Sequence, residues 1–269
     1  MKTSKISRVL DEIAPGSIAA NWDNSGWQIR QESAEVTGVL LSIDVTPDVI
    51  DEATRSGINL IVSHHPLFYD GVKALDLHSA KTKTVAKALE SRMNIFSMHT
   101  NLDVCPHGTS FLLAQKLGLG ELRFLSPLRL RAPFDVGWGA IGRFEQSLSI
   151  MDLRDKVAEA LGMDLIRVIA REGGDTFRAV AVGAGSLSNL IPDVIAQSIG
   201  AFITSDMKYH DAQDALGDGV SILDVDHYYA ERPVLDQVKT MLEPQVDVPV
   251  MISGIVTSPF TNMKGIGGK

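Results

Sequence analysis

Apolar residues recur along the first third of the chain with two different periods, and these periods predict helices and strands in alternation. Helical spacing over residues 4–14 predicts an amphipathic helix. Short apolar runs bounded by turn residues predict strands over residues 36–43 and 60–63. Between them, Pro47 suits the first position of a helix that the Thr46 hydroxyl caps. The strand, helix, strand order predicts parallel strands joined by a right-handed crossover.

The alternation continues through the rest of the chain. Further helices are predicted over residues 79–91, 110–117 and 211–216, and further strands over residues 94–98, 137–144, 165–170, 178–183, 201–204, 220–225 and 248–256. The residues Pro-Asp-Val-Ile at 47–50 recur at 192–195, and an apolar strand follows each copy. This repeat predicts an internal duplication. The predicted fold class is therefore α/β, with two similar α/β domains whose mixed sheets are flanked by helices.

A change of composition around residues 123–133 predicts a domain boundary. Prolines and arginines accumulate there, including Arg123, Arg129 and Arg131. We favour solvated side chains at a boundary or a subunit contact, and phosphate capture is the alternative. The predicted division gives a first α/β domain of residues 1–125 plus about 227–269 and a second of about 126–226.

Composition and charge restrict the classes of function. The formal net charge of -8 argues against a broad nucleic-acid surface, which needs clustered positive charge. Cys105 is the one cysteine of the sequence, so disulfide frameworks and cysteine zinc clusters are excluded, and any metal must be held by histidine and carboxylate. Neither a signal peptide nor an apolar stretch of membrane-spanning length is recognisable. A cytoplasmic protein without a membrane contact is expected.

Two adjacent histidines, His64 and His65, follow the predicted strand at 60–63. Pro66 cannot continue a strand ladder, so both imidazoles lie at a carboxyl strand end, where open α/β sheets bind ligands. A single histidine there is more often structural. Adjacent side chains on a strand point to opposite faces, so the two can meet at one ion only if the backbone leaves the strand.

Other predicted strand ends supply the remaining donors. Asp103 follows the strand at 94–98, and His227 follows the strand at 220–225 with Glu231 four residues later. Because Pro233 belongs in the first turn of a helix, we expect the helix to start near Glu231 and His227 to lie on the preceding loop. Three imidazoles and two carboxylates exceed one tetrahedral zinc site and suit two divalent ions, Zn, Fe, Mn or Co.

Several segments together resemble one known family. They are WDNSGWQI, IVSHHPLFYDGVKAL, MHTNLDV, ITSDMKYHDAQDAL and DHYYAE. They occur in the order found in the Nif-three-like family, also named GTP cyclohydrolase type 2 homologues. The double-histidine segment and the last His-to-Glu segment are the most specific of these matches.

The resemblance implies two similar α/β domains, a dinuclear metal site in the crevice between them, and a ring-like homohexamer. It maps the metal ligands onto His64, His65, Asp103, His227 and Glu231. The chain departs from the family pattern at Asp226 and Ser205, where glycine is usual, and at residues 107–110, which end in Ser110. These departures affect the expected substrate more than the expected metal binding.

The resulting hypothesis is a metal-dependent hydrolase in which two cations activate a water molecule. For a GTP cyclohydrolase, the attacked atom is the purine imidazole carbon and formate is released. The substrate would be GTP or another small nucleotide, although no nucleotide-binding motif is present. His99, His107, Asp206 and His210 are the candidate proton shuttles. The alternatives are a non-enzymatic metal-binding or regulatory ring protein and a two-metal phosphoester hydrolase.

Overall fold

The computed structural model describes residues 1–31, 35–72, 74–171 and 175–261. The chain divides into two compact units. The first comprises Met1–Cys105, Leu130–Pro133 and Val234–Thr257, and the second comprises Pro106–Arg129, Phe134–Pro233 and the residues from Ser258 onwards. This division differs from the sequence-based one at 106–125, at 227–233 and from Ser258 onwards, which lie in the second unit, and at Leu130–Pro133, which lie in the first.

Strands occur in both units. In chain order they are β1 (Gly26–Ile29), β2 (Val39–Ser42), β3 (Leu60–Ser63), β4 (Asn94–Ser97), β5 (Gly120–Leu128), β6 (Val136–Ser149), β7 (Arg167–Ile169), β8 (Thr176–Val182), β9 (Ala201–Ser205), β10 (Ser221–Val225) and β11 (Val250–Ile252).

Helices connect the strands. In chain order they are α1 (Thr3–Ile13), α2 (Pro47–Arg55), α3 (Ala80–Glu90), α4 (Thr100–Asp103), α5 (Thr109–Lys116), α6 (Ile150–Leu161), α7 (Ile191–Ala196), α8 (Tyr209–Gly217), α9 (His227–Glu231) and α10 (Pro233–Leu242). Among the described residues, no helix has the length and apolar content required to cross a membrane.

The first unit is built on a mixed sheet with the strand order β1, β4, β3, β2, β11. The strands β11, β2, β3 and β4 run parallel, and β1 pairs antiparallel with β4. Every residue of β2 and β3 is buried, as expected for central strands of a sheet covered on both faces. Because these strands run parallel, residues that follow β2, β3 and β4 lie at the same sheet edge.

The second unit is built on a mixed sheet with the strand order β5, β6, β8, β9, β10, β7. Its strands β8, β9 and β10 run parallel, while the pairs β5 with β6, β6 with β8 and β10 with β7 run antiparallel. The predicted class of two mixed sheets flanked by helices is confirmed. A helix between two parallel strands occurs in each unit, as the repeated Pro-Asp-Val-Ile segment predicts, and duplication itself stays a prediction.

Local sequence signals place most element boundaries. The Thr46 hydroxyl accepts a hydrogen bond from the Val49 amide at 3.3 Å and caps α2, as predicted. The predicted start of the helix near Glu231 is wrong. The Asp226 side chain caps α9 by accepting from the Tyr229 amide at 3.3 Å, so His227 is the first helical residue. Pro233 begins α10 separately, so it does not prevent a helical turn before it.

Candidate metal centre

The double histidine lies at the carboxyl end of β3. The His64 amide donates to the Ser42 carbonyl and the His65 amide donates to the Ile43 carbonyl, each at 2.9 Å. Pro66 then ends this backbone pairing. The two imidazole rings nevertheless lie side by side, with centroids 5.0 Å apart. The two rings are therefore close enough to contribute to one site within the first unit.

Both imidazoles are held by their Nδ1 atoms. His64 Nδ1 lies 2.8 Å from the Met98 carbonyl oxygen, and His65 Nδ1 lies 2.8 Å from Asp44 Oδ1. A carbonyl and a carboxylate can only accept, so in the neutral ring the proton is on Nδ1 and the lone pair is on Nε2. This arrangement is the usual one for metal-binding histidines, in which the second nitrogen is fixed by a hydrogen bond.

Asp103 lies close to this pair. It ends α4, and its Oδ1 atom is 3.5 Å from His64 Nε2. With the His64 proton on Nδ1, Nε2 and Oδ1 both present lone pairs to the space they share. Two facing acceptors are stabilised when a cation lies between them, so the donor set fits a divalent metal.

The second unit holds the other predicted ligands on α9. His227 Nδ1 lies 2.6 Å from Asp206 Oδ2, and His227 Nε2 lies 3.0 Å from Glu231 Oε1. Burial alone would lower the pKa of His227, but the negative charges of Glu231 and Asp206 outweigh it and raise this pKa to about 11. The two carboxylates therefore stabilise a positive charge beside them. A proton on His227 supplies this charge when metal is absent, and a divalent ion would also supply it.

A glycine allows the backbone to approach Glu231 closely. Gly185 follows β8 and has a φ of +88°, in the left-handed region. A Cβ atom there would be 2.4 Å from Glu231 Oε1 and 3.6 Å from His227 Nε2. Any side chain at this position would displace the Glu231 carboxylate, so glycine is required by space as well as by backbone conformation.

His99 is the proton-shuttle candidate that lies with the first-unit ligands. Its ring centroid is 5.4 Å from that of His64, and one ligating atom each of His64, His65 and His99 all lie within 4.8 Å of one another. Asp23 Oδ1 is 2.7 Å from His99 Nδ1. His99 is therefore held in the same way as the ligand histidines.

Asp23 is a buried carboxylate with several donors. Besides His99, it accepts hydrogen bonds from the Ser25 hydroxyl at 2.6 Å and the Thr100 hydroxyl at 2.6 Å. Burial would raise its pKa, but these hydrogen bonds and the His99 ring hold it well below its usual range. Asp23 is therefore ionised and fixes the orientation of His99.

The remaining proton-shuttle candidates have other surroundings. His107 packs edge to face on Phe134 with centroids 5.3 Å apart, and His210 is exposed on α8 beside Tyr209. Asp206 holds the His227 ring, as described above. The structure thus brings His99 to the first-unit ligands and Asp206 to His227, and it places His107 and His210 against aromatic rings.

At two of the three departures from the family pattern, Asp226 and Ser110, the side chain forms hydrogen bonds, and at Ser205 the backbone amide does. Asp226 caps α9 and accepts a hydrogen bond from the Ser258 hydroxyl at 2.7 Å. Ser205 is buried at the end of β9, and its amide donates to the Gly185 carbonyl at 3.0 Å. The Ser110 hydroxyl accepts from the Ala184 amide at 3.1 Å. Ser205 and Ser110 therefore support the loop that carries Gly185.

Sequence reasoning missed Asp23, Asp44 and Gly185. Asp44 directly follows β2 and Gly185 closely follows β8, so the rule that selected the other ligands, polar or special residues after parallel strands, could have found both. Asp23 precedes β1 in a turn-forming segment, and nothing local indicates that it contacts His99 across 76 positions of sequence.

The fold and the two ligand groups define a class of α/β protein with histidine and carboxylate donors at parallel strand ends. Comparison with known proteins agrees with this class. Residues 1–259 match the family described as Duf34/NIF3 (NGG1p interacting factor 3). The chain therefore belongs to the Duf34/NIF3 family.

Three relatives illustrate the similarity. A Campylobacter jejuni protein named GTP cyclohydrolase 1 type 2 homolog is 30% identical over 232 residues, 86% of this chain and 88% of the relative. A Clostridium acetobutylicum protein of the same name is 24% identical and spans 97% of this chain and 98% of its own. A solved structure of a hypothetical protein from Staphylococcus aureus has a TM-score of 0.90 at 28% identity, covering 98% and 99% of the two chains.

Proposed function

We propose that the protein is a hydrolase that depends on two divalent metal ions. The ligands are His64, His65 and Asp103 in the first unit and His227 and Glu231 in the second. The observation that carries the proposal is the common arrangement of the three histidines, each of which has its Nδ1 atom within hydrogen-bond distance of an oxygen atom, so that Nε2 is the nitrogen that would bind metal. That ligands from both units serve one dinuclear centre remains a prediction.

The chemistry supplied by bound divalent ions is a lower pKa for water and polarisation of the attacked bond. The protein contributes ligands of fixed orientation and a base. His99 presents its Nε2 lone pair close to the ligand atoms of His64 and His65 and can accept a proton there. The ionised Asp23 carboxylate stabilises the positive charge that His99 then carries.

For the substrate, we propose GTP or a related purine compound, with hydrolytic opening of the imidazole ring and release of formate. The name shared by the relatives supports this proposal. In this reaction one water adds to the carbon between the two ring nitrogens and opens the ring to a formamide. A second water hydrolyses the formamide, so the carbon leaves as formate and both nitrogens end as protonated amino groups or amines. Phosphoester hydrolysis at the same metals is the competing reaction.

The test compares metal-loaded protein with a His65→Ala variant and a His78→Ala control, in which the substituted histidine is exposed. Each protein is incubated with GTP and with a panel of phosphoesters, and products are identified by mass spectrometry. We expect formate from the unsubstituted protein and the control, and none from His65→Ala. Cleavage of phosphoesters without formate would establish the competing reaction.

Metal analysis of protein purified without chelator is an independent measurement. We expect about two equivalents of divalent metal per chain and loss of metal on substitution of His65 or Glu231. Full metal occupancy with no turnover of any substrate would refute the hydrolase and leave a metal-binding or regulatory protein. Less than one equivalent, not restored by added Zn, Fe, Mn or Co, would refute the metal centre itself.

We further propose a homohexamer, as the family resemblance implies, and a cytoplasmic location, as the cysteine content favours. The mass of one chain is 29.1 kDa, so light scattering should give six times this value. Fractionation of cells that express the tagged protein should recover it with the cytoplasmic fraction. A monomeric mass at micromolar concentration would contradict the hexamer.

A further inference from the structure

A large cavity lies in the second unit beside His227. Its volume is about 790 Å³, and its walls come from the ends of β9 and β10, the edge strand β7 and the residues around Phe260. Pockets that bind small organic molecules are commonly about 300–1,000 Å³. The cavity therefore has the size of a substrate site, and the ring of a predicted metal ligand forms part of its wall.

One side of the cavity is apolar and incompletely covered. Leu165 is 66% exposed and Phe260 is 67% exposed, although both are large apolar residues. Met163 and Val225 are buried and form the apolar surface beneath. A planar ring that covered Leu165 and Phe260 would remove their apolar surface from water, which favours binding.

The other side of the cavity is acidic. Asp224 and Asp226 are two positions apart, so they point to the same side of β10 and its continuation. Asp206 directly follows Ser205, which pairs with Val225 at the end of β9, and the φ of +56° at Asp206 takes the backbone out of the strand there. These aspartates all line the cavity. Carboxylates in this arrangement accept hydrogen bonds and favour amino groups of a ligand.

Arg167 contributes a guanidinium group to the cavity wall, and this group binds the Asp224 carboxylate. Its Nε atom donates to Asp224 Oδ2 at 2.7 Å, and its Nη2 atom donates to the Met207 carbonyl at 2.8 Å. The side chain of Asp224 is only 7% exposed, so the surrounding protein fixes this carboxylate, and the carboxylate in turn holds the more exposed Arg167 guanidinium. The lining contributes three carboxylates against this guanidinium and the protonated His227 ring, so in the metal-free protein the net charge is negative and disfavours phosphate within the cavity.

We propose that this cavity binds an uncharged planar heterocycle that carries amino groups, with the ring against Leu165 and Phe260 and the amino groups toward the aspartates. The cavity is the substrate-binding part of the metal site, and this assignment rests on the proposed function. Any phosphate of the substrate lies outside the cavity. The same surface thus selects the heterocycle and leaves the attacked atom near His227.

The probe for the experiment is 2-aminopurine, a fluorescent planar heterocycle with one amino group, and purine is the matched ligand without the amino group. Binding is measured by fluorescence titration with metal-free and with metal-loaded protein. We expect saturable binding in both forms, weaker binding of purine in competition, and no competition by inorganic phosphate with the metal-free form. Phosphate that competes as well as purine in the metal-free protein would overturn the proposal.

Two variants test the two sides of the cavity. Phe260→Ala changes an exposed side chain and leaves the core intact, and Asp224→Asn retains the shape while removing the charge. We expect each to weaken 2-aminopurine binding by about tenfold. The controls are Leu89→Ala and Asp214→Asn, exposed residues outside the cavity, which should bind unchanged.

The outcomes separate this inference from the proposed function. Binding that depends on Phe260 and Asp224 in a protein without hydrolase activity would support the cavity and refute the hydrolase. Hydrolase activity together with unchanged binding in Phe260→Ala and Asp224→Asn would refute the cavity and leave the hydrolase. No saturable binding of 2-aminopurine to folded protein, with or without metal, would also refute the cavity.

Discussion

Substitution of Gly185 by alanine tests whether Glu231 is held as the structure describes. The added Cβ atom would lie 2.4 Å from Glu231 Oε1, a separation that real Cβ atoms do not show. The Glu231 carboxylate is the nearest group and is therefore the one that must move. The variant therefore perturbs a predicted metal ligand without changing any donor atom. We expect it to fold and to bind metal more weakly.

A matched control separates the two effects of the substitution. Gly219 has a φ of +87°, against +88° for Gly185, and nothing lies within 4 Å of a Cβ atom built on it. Alanine at either position costs about 1–2 kcal/mol of unfolding free energy, since L-residues are strained in the left-handed region. The displacement of Glu231 adds to this cost only in Gly185→Ala, and we expect about 1–3 kcal/mol more.

The assays are urea unfolding of the metal-free proteins and metal competition against a chromophoric chelator. Gly219→Ala should lose stability and retain the metal affinity of the unsubstituted protein. Gly185→Ala should lose more stability and about 10–100-fold in metal affinity, the usual effect of disturbing a ligand's orientation. Equal stability and equal metal affinity in the two variants would show that Glu231 does not lie against Gly185, and the reasoning would be wrong.

Three further outcomes follow from the histidine partners. Asp44→Asn should lower metal affinity by about 10–100-fold with unchanged stability, measured by chelator competition, because Asp44 orients His65. Metal uptake at pH 8 should release protons, because His227, with its pKa raised to about 11, is protonated without metal. The release is measured by calorimetry in buffers of different ionisation enthalpy. Metal affinity should therefore rise with pH, and Glu231→Gln should reduce the proton release. Asp23→Asn should cost about 1.5–3 kcal/mol of unfolding free energy at pH 7. This cost should shrink below pH 3.8, the unfolded value, because a carboxylate with a lowered pKa loses its stabilisation as pH falls; equal costs at pH 7 and pH 3 in urea unfolding would contradict the ionised Asp23.

Much of the fold was predictable because local signals and burial agree. The strand at 60–63 has the predicted bounds, and the helix predicted over 4–14 is α1 at Thr3–Ile13. Ser149 and Asp152 form the capping box that opens α6. In these segments the apolar periodicity, the turn residues and the caps all favour the same structure, and this structure is also the one that the tertiary contacts favour.

The wrong predictions concern segments whose secondary structure depends on residues that are distant in the sequence. The region around residues 123–133, expected as a domain boundary or connection, contains the short Leu130–Pro133 segment of the first unit. It also contains the end of β5, which was not predicted and whose residues alternate in exposure because the strand pairs only with β6 at the edge of its sheet. The sequence also predicted His227 on a loop, since Pro233 was taken to set the start of a single helix. The Asp226 side chain starts a separate helical turn, and a cap of this kind is visible only once the strand before it is placed.

The candidate site was predictable as residue types but not as orientations. Parallel strand ends indicated the imidazoles and carboxylates that the family resemblance also selected. The atoms that hold those imidazoles are Met98 O, Asp44 Oδ1 and Asp206 Oδ2, and only the strand register brings them to Nδ1. A backbone carbonyl has no sequence signature, so the partner of His64 could not be found before the fold.

The strand order of the first sheet has a consequence for synthesis on the ribosome. β2, which precedes the double histidine, pairs on one side with β11, and β11 begins only at Val250. At about 5–20 residues per second, the ribosome needs roughly ten seconds or more to make the intervening chain. During that time the backbone N–H and C=O groups on this edge of β2 are without their partners, so nascent chains are open to wrong strand pairing until translation is nearly complete. Slowing or truncating translation before Val250 should therefore increase aggregation of the nascent protein.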